Sequence, residues 1–489
     1  MRARLTAFSS TGYLIPLSRI LVHASSHARA SLGDATAFYP CGTSWTTGRR
    51  LRPSSVQRRR CTAFASRPRP ATLCRMIHKP RVLVITGPTA AGKSAVACAL
   101  ARRLDGEIVS ADSVQVYREL NIGANKPSAA ELQRVPHHLV NVLHVGEGEF
   151  SAGTFYERAR QVTADILSRG RVPIVVGGTM MYMRWYLRGK PAAPQPSLEV
   201  RAEVEQELER EGWDWERGLE RLRQYDPARA AQLHRNDWYR LRRALEVCRT
   251  TGGVGVGALP VVGGAPRRTA DDAIAGDTSS SLDYDFRCFF LYVPRKELNR
   301  LIDERCEQMV LRGLLEETAQ ALRHLGDDVV AEPDRPAGLL PTGLPVVARA
   351  IGYRQAAEYL QHGERTPAGL RAFLLKFMQA TRQYARRQYQ WHRADPLFRW
   401  VRAKANSLVD ALAEAYLSEG NEDAKRWSAE TQTLVAEDAA LRAQSVHDGR
   451  QMKTYVPELR MFADDQRVAE VLDRLRRLGV GERVANGTA

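Results

Sequence analysis

The eight residues Gly87-Pro88-Thr89-Ala90-Ala91-Gly92-Lys93-Ser94 constrain this chain more than any other stretch. They follow a β-branched run, Val82 to Thr86, and open a helical pattern from Lys93 to Leu104, so the sequence predicts strand, loop and helix in succession. A G-x-x-x-x-G-K-[ST] segment in that setting is a phosphate loop. Successive N–H groups from Gly87 through Thr89, Ala90, Ala91 and Gly92, with the helix N-terminus, form an anion nest. Lys93 adds a point charge, and the Ser94 hydroxyl suits a Mg²⁺ that bridges two phosphates. The loop specifies a di- or polyphosphate without saying which.

Further apolar runs at Ile108-Val109, Leu139 to Leu143, Val172 to Val176 and Cys288 to Val293 read as strands, most of them separated by helix-like segments. The fold class expected is α/β, a phosphate-loop NTPase-like parallel sheet with helices on both faces. One stretch breaks the alternation: residues 197–250 are charged and helical with no strand candidate, the mark of an inserted all-helical domain. The organisation expected is a leader at 1–75, a first core part at 76–196, the insertion, a flexible Gly-rich loop at 251–285 and a second core part at 286–400. Long helices are expected at Arg295–Leu325 and Pro367–Arg393, with a Pro-rich connector from Asp327 to Pro345 and a helical extension at 401–489 that carries no motif.

Charge separates the leader from the rest. The net charge is +17, yet residues 1–75 hold thirteen arginines, no lysine and a single acid, Asp34, so twelve of those charges lie there. With ten serines, this Arg-rich, acid-poor leader reads as an organellar transit peptide, mitochondrial or alternatively plastid, and Met76 could start a cytosolic form. A basic arm that touches RNA is the competing reading. No apolar stretch reaches the ~18 residues of a membrane span, and no membrane partner is expected. The seven cysteines include no C-x-x-C pair, which leaves no zinc-finger framework.

An NTPase needs a carboxylate at the end of a hydrophobic strand, but Val172 to Val176 ends in Gly177-Gly178-Thr179. The only strand that runs into an acid is Ile108 to Ala111, which meets Asp112 at the sheet edge where ligands bind. A helix N-cap is the structural alternative for Asp112.

With the phosphate loop, the ordered motifs Asp112-Ser113-x-Gln115-Val116-Tyr117, Ile122-Gly123, Lys126-Pro127, Pro136-His137-His138-Leu139, Gly177-Gly178-Thr179 with Tyr182, and Ile351-Gly352-Tyr353-Arg354-Gln355 resemble the tRNA dimethylallyltransferase (tRNA isopentenyltransferase) family. The resemblance spans about residues 80 to 400, taking in Arg243 to Val247 and Thr381 to Gln388. It implies transfer of a dimethylallyl group from its diphosphate to the exocyclic N6 amine of the adenosine immediately 3′ of a tRNA anticodon. It also implies that the loop holds dimethylallyl diphosphate, with Mg²⁺ as cofactor. In this reading Lys93, Mg²⁺ and Arg354 stabilise the leaving diphosphate, and Asp112, with Thr89 as a hydrogen-bonding neighbour, takes the amine proton. Ser113, Gln115 and Thr179 match positions that touch the flipped nucleotide of the anticodon loop, and Arg201 adds a tRNA contact from the insertion.

Arg240, Arg242 and Arg243 lie on an inserted helix, while Arg382, Arg386 and Arg393 recur at four and seven residues on the late helix among Tyr384, Tyr389 and Trp391. Such a face suits single-stranded RNA, and a solvated face above an aromatic core stripe is its structural counterpart. Val114, Ala124, Met180 and Tyr239 depart from the family's usual residues without touching a proposed catalytic group. The chain resembles the bacterial form, without a zinc finger, and a monomer is expected. Two rivals remain: an adenylate prenyltransferase, which would need no arginine face, and a phosphate-loop kinase, which would need the missing acid.

Overall fold

The computed structural model describes residues 79–255, 258–262, 282–325, 345–404, 407–418, 428–452 and 455–478. The leader at 1–75, most of the Gly-rich loop and most of the Pro-rich connector lie outside the described residues.

The first half of the core runs β1 (Arg81–Thr86), α1 (Lys93–Leu104), β2 (Gly106–Ala111), α2 (Ala129–Arg134), β3 (His137–His138), α3 (Ala152–Ser168), β4 (Val172–Gly177), α4 (Met180–Arg188) and a short β5 (Lys190–Pro191). Four helices follow, α5 (Leu198–Arg210), α6 (Trp215–Tyr225), α7 (Pro227–Gln232) and α8 (Trp238–Thr250), and then β6 (Val261–Val262), which pairs antiparallel with β5. The chain returns to the core through β7 (Asp285–Tyr292), α9 (Arg295–Leu311), α10 (Leu314–Leu325), α11 (Val346–Arg349), α12 (Tyr353–His362), α13 (Pro367–Arg393) and β8 (Phe398–Arg402). It continues through α14 (Leu408–Leu417), α15 (Ala429–Ala436), α16 (Asp438–Gln451) and α17 (Asp465–Arg477).

Six strands form one parallel sheet in the order β3-β2-β4-β1-β7-β8. The central strands carry Val, Ile, Leu and Phe side chains on both faces because helices cover both, the composition that a doubly covered parallel sheet demands. β1 lies inside the sheet between β4 and β7, so its loop emerges at the carboxyl edge beside the ends of β4 and β2.

Some elements differ from expectation. The run Leu139 to Leu143 is not a strand: β3 stops at His138, and left-handed backbone at Leu139 (φ 60°) and Asn141 (φ 58°) turns the chain away. The pattern from Arg295 to Leu325 is two helices, broken where Gly313 takes φ 106°. β8 was not expected; Phe398, Trp400 and Val401 give it a buried side that its arginines disguise.

Two cores organise the molecule. Trp215 and Trp238 pack edge to face with Val204, Leu208, Leu222 and Leu241 to give the insertion its own core. The other core includes the sheet and also α14, α16 and α17, since Leu408, Leu412, Leu441, Val468, Val471 and Leu475 join it. The extension is therefore part of the catalytic core's packing. Arg442 of α16 lies over Trp400 and donates to the carbonyls of Arg393 (2.6 Å) and Phe398, closing the C-terminal end of α13. No helix among the described residues is long and apolar enough to cross a membrane.

His392, near the end of α13, gives the fold an acid-sensitive point. It packs against Phe290 and Phe398, both ring nitrogens lack partners among the described residues, and burial pushes its imidazole down to about 4. Below its ordinary value of ~6.5 the unfolded chain takes up a proton that the folded chain refuses, so stability falls as pH drops from there toward 4. This group alone should remove about 2 kcal/mol between pH 7 and pH 5. In urea titrations at those two pH values, His392→Phe should show a smaller acid loss than wild type by that amount.

Candidate active site

At the end of β1 the chain takes the shape that its glycines permit: Gly92 has φ 82°, and Ala90 is also left-handed at φ 66°. The Ala91 N–H donates to the Pro88 carbonyl at 3.3 Å, closing the turn, and α1 begins at Lys93. Lys93 Nζ donates to the Pro88 carbonyl at 2.8 Å. Ser94, in the first turn, is exposed and has no hydrogen-bond partner among the described residues, so its hydroxyl is open to a ligand. The site has one strongly perturbed cation: burial, then the Arg305 charge, push the Lys93 ammonium down to about 7, while Asp112 acts in the opposite direction.

Arg305, on α9, is the residue that the sequence reading missed. Its guanidinium is itself lowered by burial and sustained in part by Asp112, and among the described residues it has no hydrogen-bond or ion-pair partner. A signal existed, because Arg305 interrupts the inward stripe Leu298, Ile302, Met309 at helical spacing. Arg354, expected to stabilise the leaving diphosphate, makes a contact on its own helix. Arg354 is half-exposed on α12 and pairs with Glu358 one turn along the same helix (2.9 Å), because the inward positions of α12 are taken by Tyr353, Ala356, Ala357 and Leu360.

Asp112 caps a turn and not a helix, since no helix begins between β2 and α2. Oδ1 accepts the N–H groups of Val114 (2.9 Å) and Gln115 (3.3 Å), which caps the turn, and among the described residues Oδ2 has no hydrogen-bond partner. No hydrogen bond joins Asp112 to Thr89, whose N–H is taken by Gln388 Oε1 at 2.9 Å. The ends of β2 and β4 meet closely: the Thr179 N–H donates to the Ala111 carbonyl at 3.3 Å, and Thr179 Oγ1 accepts the Ser113 N–H at 3.1 Å. A Cβ at Gly177 would stand 2.1 Å from the Ala111 oxygen, so only glycine fits. Ser113 and Thr179 are thus side by side next to Asp112.

Gln115 does not present a free amide. Its Oε1 accepts from Ser110 Oγ (2.9 Å) and its Nε2 donates to the carbonyls of Ala124 (3.2 Å) and Asn125 (3.3 Å), so it braces the neighbouring loop. Several arginines also have protein partners. Arg382 pairs with buried Asp303, which also accepts from Tyr455 at 2.7 Å, and Arg393 donates to Ser445 Oγ at 3.1 Å. The late-helix face read as basic is therefore packed in part against the C-terminal extension. Tyr389 is buried and Tyr384 donates to the Gly178 carbonyl at 2.9 Å, so these rings belong to the core and the site wall. Arg386 is exposed. In the insertion, Arg240 pairs with Asp237 (2.6 Å) and Arg243 with Glu246 (3.1 Å), both leaving surface to solvent, while Arg242 is buried and Arg201 faces Glu149 (3.8 Å).

Residues 115–395 match the IPP transferase family profile. The chain belongs to the IPP transferase family. Among its relatives is tRNA dimethylallyltransferase 9 of Arabidopsis thaliana, 40% identical over 460 residues that cover 87% of this chain and 93% of the relative. The tRNA dimethylallyltransferase of Protochlamydia amoebophila is 40% identical over 66% of this chain and 84% of its own length. A crystal structure of a eukaryotic dimethylallyltransferase acting on tRNA shares the fold, at TM-score 0.52 and 24% identity over 70% of this chain and 79% of that one. Family membership fits a phosphate loop without an acid at the end of β4, where this IPP transferase carries Gly177-Gly178-Thr179.

Proposed function

We propose that this IPP transferase moves a dimethylallyl group from dimethylallyl diphosphate to the N6 amine of the adenosine immediately 3′ of the anticodon in tRNA. The observation that carries this reading is the pairing of a cationic phosphate loop after β1, Lys93 with Arg305, and a half-engaged carboxylate, Asp112, after β2 at the same carboxyl edge of the sheet. In the transfer the allylic C1–O bond breaks and its electron pair leaves with the diphosphate. The N6 lone pair forms the new C–N bond, and Asp112 Oδ2 takes the N6 proton. Loop N–H groups, Lys93 and Arg305 meet the charge that grows on the leaving group.

Mg²⁺ fits this site. Among the described residues no three His, Cys, Asp or Glu side chains gather to hold a metal, but the open Ser94 hydroxyl suits an ion that takes its other oxygens from a diphosphate and water. When bound, it would neutralise diphosphate charge. Ser113 and Thr179 line the acceptor side, and exposed Arg386 and Arg240, with half-buried Arg243, are the arginines best placed to meet RNA phosphates. The Arg-rich, acid-poor leader supports delivery to an organelle, to be checked by the location of a fluorescent protein fused after residue 75.

The test incubates the full chain with dimethylallyl diphosphate, Mg²⁺ and unmodified tRNA, then digests the RNA for nucleoside mass spectrometry. N6-dimethylallyladenosine next to the anticodon is expected. A prenylated free adenylate, with tRNA left unmodified, would overturn the choice of acceptor.

A further inference from the structure

Gln388 lies near the C-terminal end of α13 with 1% of its surface exposed, yet its amide reaches both halves of the site. Oε1 accepts the Thr89 N–H of the phosphate loop at 2.9 Å, and Nε2 donates to the Gly178 carbonyl at the end of β4, also at 2.9 Å. One orientation of the amide alone satisfies both, since an N–H must meet an acceptor and a carbonyl must meet a donor. Tyr384, one turn earlier, donates to the same Gly178 carbonyl at 2.9 Å. Gly178 is close on the other side too: a Cβ there would lie 2.5 Å from Gln388 Nε2 and 3.7 Å from Lys93 Nζ. Beneath this level Thr86 Oγ1 joins β1 to β4 through the Gly177 carbonyl at 3.0 Å. Above it, Gln388 is the side chain that spans the gap.

We propose that Gln388 is a positioning residue, a strut that fixes the separation between the loop that holds the donor diphosphate and the strand end that seats the acceptor base. The proposal rests on the prenyl transfer stated above. The two hydrogen bonds tie the amide to backbone at both ends, so Gln388 acts through Thr89 and Gly178. It also withdraws the Thr89 N–H from the anion nest, leaving the donor to the remaining loop amides and to Lys93. A bond-forming step between two separately held reactants depends steeply on their spacing, and a displacement of about 1 Å costs roughly 10²-fold.

The experiment measures single-turnover transfer by the full chain to unmodified tRNA, with donor and tRNA varied in turn. Gln388→Met keeps the length and removes both hydrogen bonds. Gln388→Asn keeps the amide but is one methylene short, and Gly178→Ala drives the amide away from the opposite side. All three should lower the maximal single-turnover rate by about 10²-fold. Half-saturating concentrations of donor and tRNA should change by less than about threefold, because what is lost is made in the transition state and not on binding. Gly178→Ala keeps the test sound if a Gln388 variant does not fold. An unchanged rate in Gln388→Met, full activity in Gln388→Asn, or a loss carried wholly by the half-saturating donor concentration would overturn the strut. A wild-type chain that prenylates no tRNA would instead overturn the reaction on which the proposal rests.

Discussion

Asp112→Asn should retain tRNA binding and lose at least ~10²-fold in the transfer rate, the lower part of the range for removing a general base. Asparagine keeps the size of the side chain, and its Oδ1 can still accept from Val114 and Gln115, so the turn that Asp112 caps should survive. What disappears is the acceptor for the N6 proton. The comparison that decides is single-turnover rate against tRNA affinity. A variant that transfers at near wild-type speed would mean that Asp112 is a capping residue alone, while one that loses tRNA affinity in step with rate would mean that it holds the RNA.

Arg305→Met should lower transfer by about 10²- to 10³-fold, the scale of losing one preorganised stabiliser of developing negative charge. It should also change the pH dependence in a definite direction. In the wild type the Lys93 ammonium titrates at about 7 before donor binds, held down by burial and then by Arg305. Diphosphate capture needs the charged form, so kcat/KM for the donor should fall as pH rises through that value, and this parameter reports the free enzyme. Taking away a neighbouring cation relieves like-charge repulsion, so in Arg305→Met the descending limb should move to higher pH even as the plateau drops. Arg354→Ala is the control: its guanidinium pairs along its own helix, and its profile should stay at the wild-type position. A limb that does not move in Arg305→Met would separate Arg305 from Lys93.

These expectations show which parts of the site could be read from residue order. Local chemistry was legible. The phosphate loop carries its own geometry in two glycines, a lysine and a serine, and α13 begins and ends at Pro367 and Arg393 because a proline start and a cationic end mark a helix. Asp112 was legible because it ends a strand. What one-dimensional order withholds is the neighbour that covers a face. Arg354 and Arg305 are both arginines on helices, and only the tertiary structure shows that Arg354 pairs along its own helix while the charge of Arg305 acts on Lys93 and feels Asp112. Arg382 looked free because its partner, Asp303, lies on another helix and the Tyr455 that completes the pair comes from the extension. Gln115 looked like a base-reading amide because nothing in its own motif reveals the carbonyls of Ala124 and Asn125 that saturate it. β8 was missed for the related reason that its burial is provided by α16, which follows it in the chain.

The strand pairing also dictates an order of assembly. β1 comes early, yet its partners are β4 on one side and β7 on the other, with Val82 beside Phe286, and the α13 amide that props its loop belongs to Gln388. A ribosome must therefore deliver nearly the whole folded region before the phosphate loop has walls. Such long-range pairing makes folding slow, because chain entropy is spent before the contacts that repay it can form. A nascent chain halted within the insertion would hold the motif for the donor with neither β7 beside it nor Gln388 to brace it. Donor capture is thus deferred to the late stages of synthesis, and an interrupted translation product should not sequester prenyl diphosphate.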